Sequence, residues 1–194
     1  MTAETAQRLA YYKAEHGPGV LAPRGWYCFG TYGSSGSSLF VSPSPLDSAL
    51  LLSSKGKGFT SPVIQLTSEY GDTSGRFGVA RVIARVFPKY RAFVKKVIAE
   101  GIVSSTEFPA GPYPKDRLVY RSSEIVEYQT PAQMEGLGTH SRLLPSTLPI
   151  SGVAVLVGQE PDLLFLTSRL PSNMADLTAI ILRQVEEDAL GEMP

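Results

Sequence analysis

The chain reads as an α+β domain, an antiparallel sheet of hairpins covered by a long amphipathic helix and a C-terminal helix. Three observations predict it. Apolar residues recur in short runs that come in pairs joined by turn segments, at 25–41, 117–129 and 151–168. Residues 76–100 instead carry apolar side chains at helical spacing. No internal repeat, Pro-rich linker or shift of composition marks a second domain, so 1–194 is expected to form one unit, with 1–19 as a helix and linker. With 194 residues, 43% hydrophobic and 19% charged, the chain is long enough to bury a sizeable core. A doubly wound nucleotide fold would alternate strands and helices singly, and this order does not.

Taken in order, Thr2 can cap a helix over 3–15 in which Ala6, Leu9, Ala10 and Lys13 share spacing, stopped by Gly17-Pro18-Gly19. Residues 25–41 form a hairpin through a Gly/Ser loop, closed by Ser42-Pro43-Ser44-Pro45. Leu46 to Lys57 can hold a helical turn, and 61–68 alternates as a strand around Val63, Ile64 and Leu66. The helix over 76–100 aligns Val79, Val82, Ile83, Val86, Tyr90, Phe93, Val94 and Val97. Asp72 or Ser74 is expected to cap it, and Pro88 either kinks it or separates two helices at Phe87-Pro88. A Pro-rich loop at 107–116 leads to a hairpin turning at Ser122-Ser123. Residues 130–149 form a long ordered loop, 151–157 pairs with 163–168, and Asn173 caps a last helix through 190 that turns Leu177, Ile180, Ile181 and Val185 inward.

Composition excludes much. Eighteen Lys+Arg balance eighteen Asp+Glu, which argues against a generically basic nucleic-acid binder and against sequence-specific nucleic-acid recognition. A single cysteine, Cys28, forms no internal disulfide. No apolar run approaches the ~18 residues of a spanning helix, so no transmembrane segment is expected. The first residues lack a signal-peptide pattern, and Met1 can stand where a leader was removed. Gly56-Lys57-Gly58 lacks the remainder of a phosphate-binding loop, and Gly33-Ser34-Ser35-Gly36 does not centre its serine as a nucleophile elbow requires. With only His16 and His140, no metal site and no cofactor are expected.

Several residues remain as candidates. Cys28 and His140 are the one thiol and imidazole combination, with Glu124, Glu127 or Glu135 available to orient the ring, as a thiol-dependent hydrolase or transferase needs. The opposing reading makes Cys28 a buried structural residue. The early aromatics include Trp26, Tyr27 and Tyr32. They can wall a ligand pocket with Arg24 as its polar handle and His140 from the long loop, or simply supply cross-strand pairs. Gly71 to Arg76 can hold an anion or only cap the helix, and Gly136 and Gly138 mark unusual backbone. Arg76, Arg81, Arg85, Lys89, Arg91, Lys95 and Lys96 form a basic face with no acid among them. Such a face suits an acidic protein partner or an anionic surface, or is a solvated face. The rest of the chain is correspondingly acidic, in part at Glu186, Glu187, Asp188 and Glu192.

The run Leu21-Ala22-Pro23-Arg24-Gly25-Trp26-Tyr27-Cys28-Phe29-Gly30, continuing through Tyr32-Gly33-Ser34 to Leu39-Phe40-Val41-Ser42-Pro43, resembles uncharacterised exported bacterial proteins. Gly152-Val153-Ala154, Arg169-Leu170-Pro171 and the closing helix are similar as well. The resemblance implies a periplasmic or secreted location if a leader has been removed, and a cytoplasmic one otherwise; it carries no activity. The Pro-x-Gly-Trp entry, the antiparallel meander and the final helix also resemble the PsbP-like α+β fold, whose members mostly bind or assist partners. The expected function is accordingly a non-enzymatic binding or accessory protein. The thiol enzyme and the basic-helix surface binder are the alternatives.

Overall fold

A computed structural model describes residues 2–47 and 58–191. Its frame is a seven-stranded antiparallel sheet built from β3 (Tyr27–Gly33), β4 (Gly36–Ser42), β5 (Val63–Glu69), β6 (Arg117–Tyr120), β7 (Ile125–Thr130), β8 (Ile150–Val157) and β9 (Asp162–Arg169). The spatial order is β3-β4-β5-β9-β8-β7-β6. The hairpin β8–β9 is therefore inserted between the first three strands and the hairpin β6–β7. Each predicted strand pair is present, and the α+β class is as the sequence predicts.

Both faces of the sheet are covered. On the front face, Leu39, Leu66, Leu166 and Val153 stand side by side in register. Helix α4 (Thr178–Gly191) buries Ile181 and Val185 against this row, with Leu177 just before it. A two-stranded ribbon of β1 (Leu9–Tyr12) and β2 (Val20–Pro23) adds Leu9, Val20 and Ala22 to the same core. On the back face, Val126, Ala154 and Phe165 lie beneath α2 (Arg76–Val86) and α3 (Arg91–Ala99), which contribute Val79, Ile83, Val86, Val94 and Val97. A strand buried on both faces must be apolar throughout, and that is why β8 and β9 read as nearly continuous hydrophobic runs.

Three local expectations are corrected, and the alternative left open at Pro88 is decided. The N-terminal helix, α1, spans only Ala3–Arg8, because the following Leu-Ala-Tyr-Tyr pairs with β2 through Leu9↔Pro23 to Tyr12↔Val20. Burial of Leu9 against α4 and the strand preference of adjacent tyrosines outweigh the short helical spacing. The long helix is two helices, since Pro88 opens a 3-10 turn over Pro88–Tyr90 and cannot donate to the preceding turn. Gly75, not Asp72 or Ser74, occupies the N-cap of α2; the Thr73 hydroxyl accepts from its amide at 3.1 Å. The last helix is preceded by a 3-10 segment over Ser172–Leu177 that starts after Pro171, so Asn173 lies inside this turn. Residues 48–57 lie outside the described residues, and with them most of the predicted helical turn of 46–57 and Gly56-Lys57 of the incomplete phosphate-loop pattern.

Candidate functional site

A groove of about 650 Å³ lies on the front face, between the β6–β7 hairpin and α4. Register puts Arg117, Gln129 and Ser151 in one row of the sheet and Val119 with Glu127 in the next. From the helix side, Ala175, Thr178, Ala179, Leu182, Arg183 and Glu186 complete the lining, the i, i+3, i+4 stripe that one helix face presents. Small side chains at 175, 178 and 179 leave the space that larger ones would fill.

The charge in this groove is arranged, not scattered. Arg121 donates from Nε to Glu127 Oε1 at 2.8 Å and pairs through Nη2 at 2.8 Å. Glu127 faces Glu186 of α4, whose carboxyl is pushed up to about 7, first by burial and then by a hydrogen bond with Glu127 and by its charge; Arg121 and Arg183 pull the other way. Glu186 Oε1 is sealed from solvent. Protonation of Glu186 removes one negative charge, since adjacent carboxylates resist joint ionisation. The guanidiniums of Arg117 and Arg183 make no hydrogen bond or ion pair with the described residues. Three guanidiniums against two carboxyl groups leave the groove positive on balance.

The thiol and imidazole do not meet. Cys28 is exposed on the edge strand β3, opposite Val41 and hence on the front face; the buried structural reading is corrected. His140 lies in a 3-10 turn, Leu137–His140, whose Gly138 packs against Ile150 and Thr130 on the back face. Five strand spacings separate β3 from β7 beneath that turn, on the order of 24 Å. The His140 ring is held by the Tyr113 hydroxyl, 2.8 Å from Nε2, and stands edge-on to that ring. The residue reaches the surface, yet burial of the ring, aided by Arg85 and Arg81, holds its pKa down to about 4 and the imidazole neutral. Glu124 is engaged elsewhere. Ser123, Lys89 and Tyr90 donate to it, and these bonds, Ser123 first, lower it to about 2. Exposure of Cys28 on an edge strand predicts that a thiol reagent such as dithionitrobenzoate titrates it completely in the native protein, at the rate seen in denaturant within about tenfold. Titration only after unfolding would contradict this.

The early aromatics form no common pocket either. Arg24 is spent on backbone, donating from Nε to Gln7 O at 2.8 Å and from Nη2 to Leu9 O at 2.6 Å, which ties β2 to the end of α1. Trp26 packs onto the front core. Tyr27 is 51% exposed, and Tyr32, 72% exposed, rests on the His16 ring at 4.2 Å on the other face of the same strand. His140 is remote from all of them.

The basic face is largely consumed within the fold. Arg76 pairs with Glu100, Arg81 with Glu107, Lys89 with Glu124 and Lys96 with Glu160. Arg85 donates to Gly111 O and covers the Tyr113 ring at 4.1 Å. Only Arg91 and Lys95 of the seven lack such a partner among the described residues. The acids that answer the basic face are Glu100 at the C-cap of α3 and three residues of neighbouring segments, Glu107, Glu124 and Glu160, and none comes from the C-terminal helix. Gly71 N, in the segment that could hold an anion or only cap the helix, donates to Asp162 at 2.7 Å.

The groove residues Arg117, Arg121, Arg183 and Glu186 were absent from the sequence-predicted site residues, and Glu127 entered only as an option for orienting His140. One signal was present: Ile125, Glu127 and Gln129 alternate, so a glutamate shares the inward direction of a core isoleucine.

No protein-family model matches the chain, and no curated protein or solved structure matches it. Among the described residues no helix is long and apolar enough to cross a membrane, and no three His, Cys, Asp or Glu side chains converge as metal ligands.

Proposed function

We propose that this chain is a non-enzymatic binding protein that takes a small, hydroxylated, anion-bearing molecule into the groove between β6–β7 and α4. The observation that carries the reading is the convergence of Arg117, Arg121 and Arg183 on the Glu127 and Glu186 pair. Guanidiniums recognise carboxylate or phosphate by paired donors. Gln129, Ser151, Thr178 and the carboxyl oxygens suit the hydroxyls of the same ligand. An exported location, implied by the resemblance of 21–43, belongs to the same proposal. The separation of Cys28 from His140 disfavours the thiol enzyme, and the loop glutamates on the basic face disfavour a dedicated anionic-surface binder.

Calorimetry against sugar phosphates and hydroxy-polycarboxylates tests the proposal. Arg117→Ala with Arg183→Ala is expected to weaken binding at least tenfold, since each charge-assisted contact contributes about 1.5–3 kcal/mol. The pH dependence has a definite sign. Below about pH 7 Glu186 holds its proton and the groove is more positive, so affinity falls as pH rises from 6 to 8. Glu186→Gln, which stays neutral, should flatten that profile. Equal binding of uncharged analogues, or full affinity in the double variant, would reject this assignment.

A further inference from the structure

A second pocket, of about 230 Å³, lies on the back face at the tip of the β3–β4 hairpin. Cross-strand register sets Thr31, Ser38 and Thr67 in one row, with Glu69 in the next beyond the two glycines Gly33 and Gly36. Three hydroxyls and one carboxyl group thus share one cavity wall. The hydroxyls are partly ordered: Ser38 Oγ is 3.1 Å from Thr67 Oγ1, and Gln65 Nε2 donates to Thr67 Oγ1 at 2.9 Å. The Thr31 hydroxyl has no protein partner among the described residues.

Glu69 is held in place by a missing side chain. A Cβ on Gly78 of α2 would stand 2.0 Å from its Oε2 and 2.3 Å from its Oε1. The carboxyl group therefore lodges in a notch that only glycine leaves open. Within that notch it makes no hydrogen bond and no ion pair with any described residue. Burial pushes it up to about 7, opposed only by the charge of Arg81. Arg81 is itself paired with Glu107, and Arg76, at the start of the same helix, with Glu100. The register neighbours of Glu69 on β4 and β9 are Gly36 and Leu163, which carry no charge. A carboxyl so placed lacks a donor, and every surrounding charge is already answered.

We propose that this pocket binds a small primary amine, its ammonium group on Glu69 and its remaining polar atoms on Thr31, Ser38 and Thr67. An ammonium ion supplies the donors and the charge that the notch lacks. A neutral polyol would leave the carboxyl uncharged, an anion would be repelled, and one carboxylate with no second acid falls short of a metal site. The cavity volume restricts the ligand to a small molecule, and ethanolamine fits within it. Binding below pH 7 follows a balanced exchange: Glu69 gives up its proton to solvent as the ammonium arrives, and a carboxylate–ammonium pair replaces the neutral acid. This site is separate from the front-face groove, and it stands if that reading fails.

Calorimetry with ethanolamine at pH 6.5, in two buffers of different ionisation enthalpy, reads the exchange directly. Release approaching one proton per amine bound is expected, fading above pH 8, with affinity rising as pH rises from 6 to 8. Glu69→Gln should abolish binding while preserving the fold by melting, Thr67→Val should weaken it several-fold, and Arg117→Ala with Arg183→Ala should leave it unchanged. In the wild-type protein, the carboxyl ¹³C resonance of Glu69 should titrate at lower pH when the amine is present. Ethylene glycol, which lacks the ammonium, should not compete. No binding at millimolar ethanolamine, undiminished binding by Glu69→Gln, or binding without proton release each overturns the proposal.

Discussion

Gly152→Val is expected to lower stability by about 4 kcal/mol or more, which for a chain of this size is a fall in Tm of roughly 8–16 °C. Gly152 sits in β8 between Tyr128 on β7 and Thr167 on β9. A Cβ there would meet Leu166 O at 2.0 Å and the Tyr128 hydroxyl and ring at 2.3 and 2.4 Å. The ring of Tyr128 extends over the glycine, stacks on Phe165 with centroids 5.5 Å apart, and donates from its hydroxyl to Leu166 O at 2.8 Å. Three central strands are thereby joined by one side chain that crosses a bare backbone. Backbone cannot retreat as a flexible side chain can, so the clash is not relieved by a rotamer change. Tyr128→Phe, which keeps the stacking and removes the bond, should cost only about 1 kcal/mol. A Gly152→Val protein that melts with wild type would show that β8 shifts freely here, against the packing described.

The second large effect is expected at Arg169, which is fully buried near the end of β9 opposite Val63. Its guanidinium donates from Nη1 to Phe59 O at 2.9 Å and from Nη2 to Leu144 O. Those carbonyls belong to two separate loops, which also meet through the bridge Phe59↔Leu143. Burial depresses the pKa of this group, and its Nε has no partner, yet arginine stays charged at any ordinary pH. Arg169→Ala removes the donors of two carbonyls and opens a cavity, offset by relief of the buried charge, for a net loss of about 3 kcal/mol. Arg169→Lys should recover little of it, because one ammonium does not reproduce a fork reaching two chains. Amide exchange should rise selectively at Phe59 and Leu144, whose amides bond Arg142 O and Phe59 O respectively. Uniform exchange across the molecule, or an unchanged denaturation midpoint, would remove Arg169 from this bolting role.

The hairpins were legible because the signals that make them are local. Gly33-Ser34-Ser35-Gly36 and Ser122-Ser123 each sit between runs that pair directly with one another. Insertion of β8–β9 beside β5 was not legible, since Ile64↔Ser168 and Leu66↔Leu166 join residues about a hundred apart with no turn to announce them. The N-terminal helix was overextended for the same reason: the partner that turns Leu9–Tyr12 into a strand lies beyond a glycine-rich loop. Site residues followed this pattern. Cys28 and His140 stand out in the sequence as reactive residue types, yet the sheet keeps them apart. Glu127 and Glu186 drew no attention as a pair because they are unremarkable singly and acquire their chemistry only when α4 crosses β7. The basic face is a helix surface as the sequence predicts, but of its counter-charges only Glu100 lies on that predicted helix, whereas Glu107, Glu124 and Glu160 come from segments whose position no periodicity reveals.

The ribbon of β1 and β2 has a consequence for how the molecule is made. Leu21 N donates to Gln184 Oε1 at 2.8 Å, Arg8 pairs with Asp176, and the apolar side of the ribbon rests against α4. On the ribosome these early strands emerge with nothing to cover them, and they wait for more than 150 further residues before their counterpart appears. Closing so large a loop is entropically slow, so this layer should assemble last, after the back-face helices have docked on the sheet. A nascent chain stalled before α4 would expose the front core to chaperones, and release of that single helix would close it.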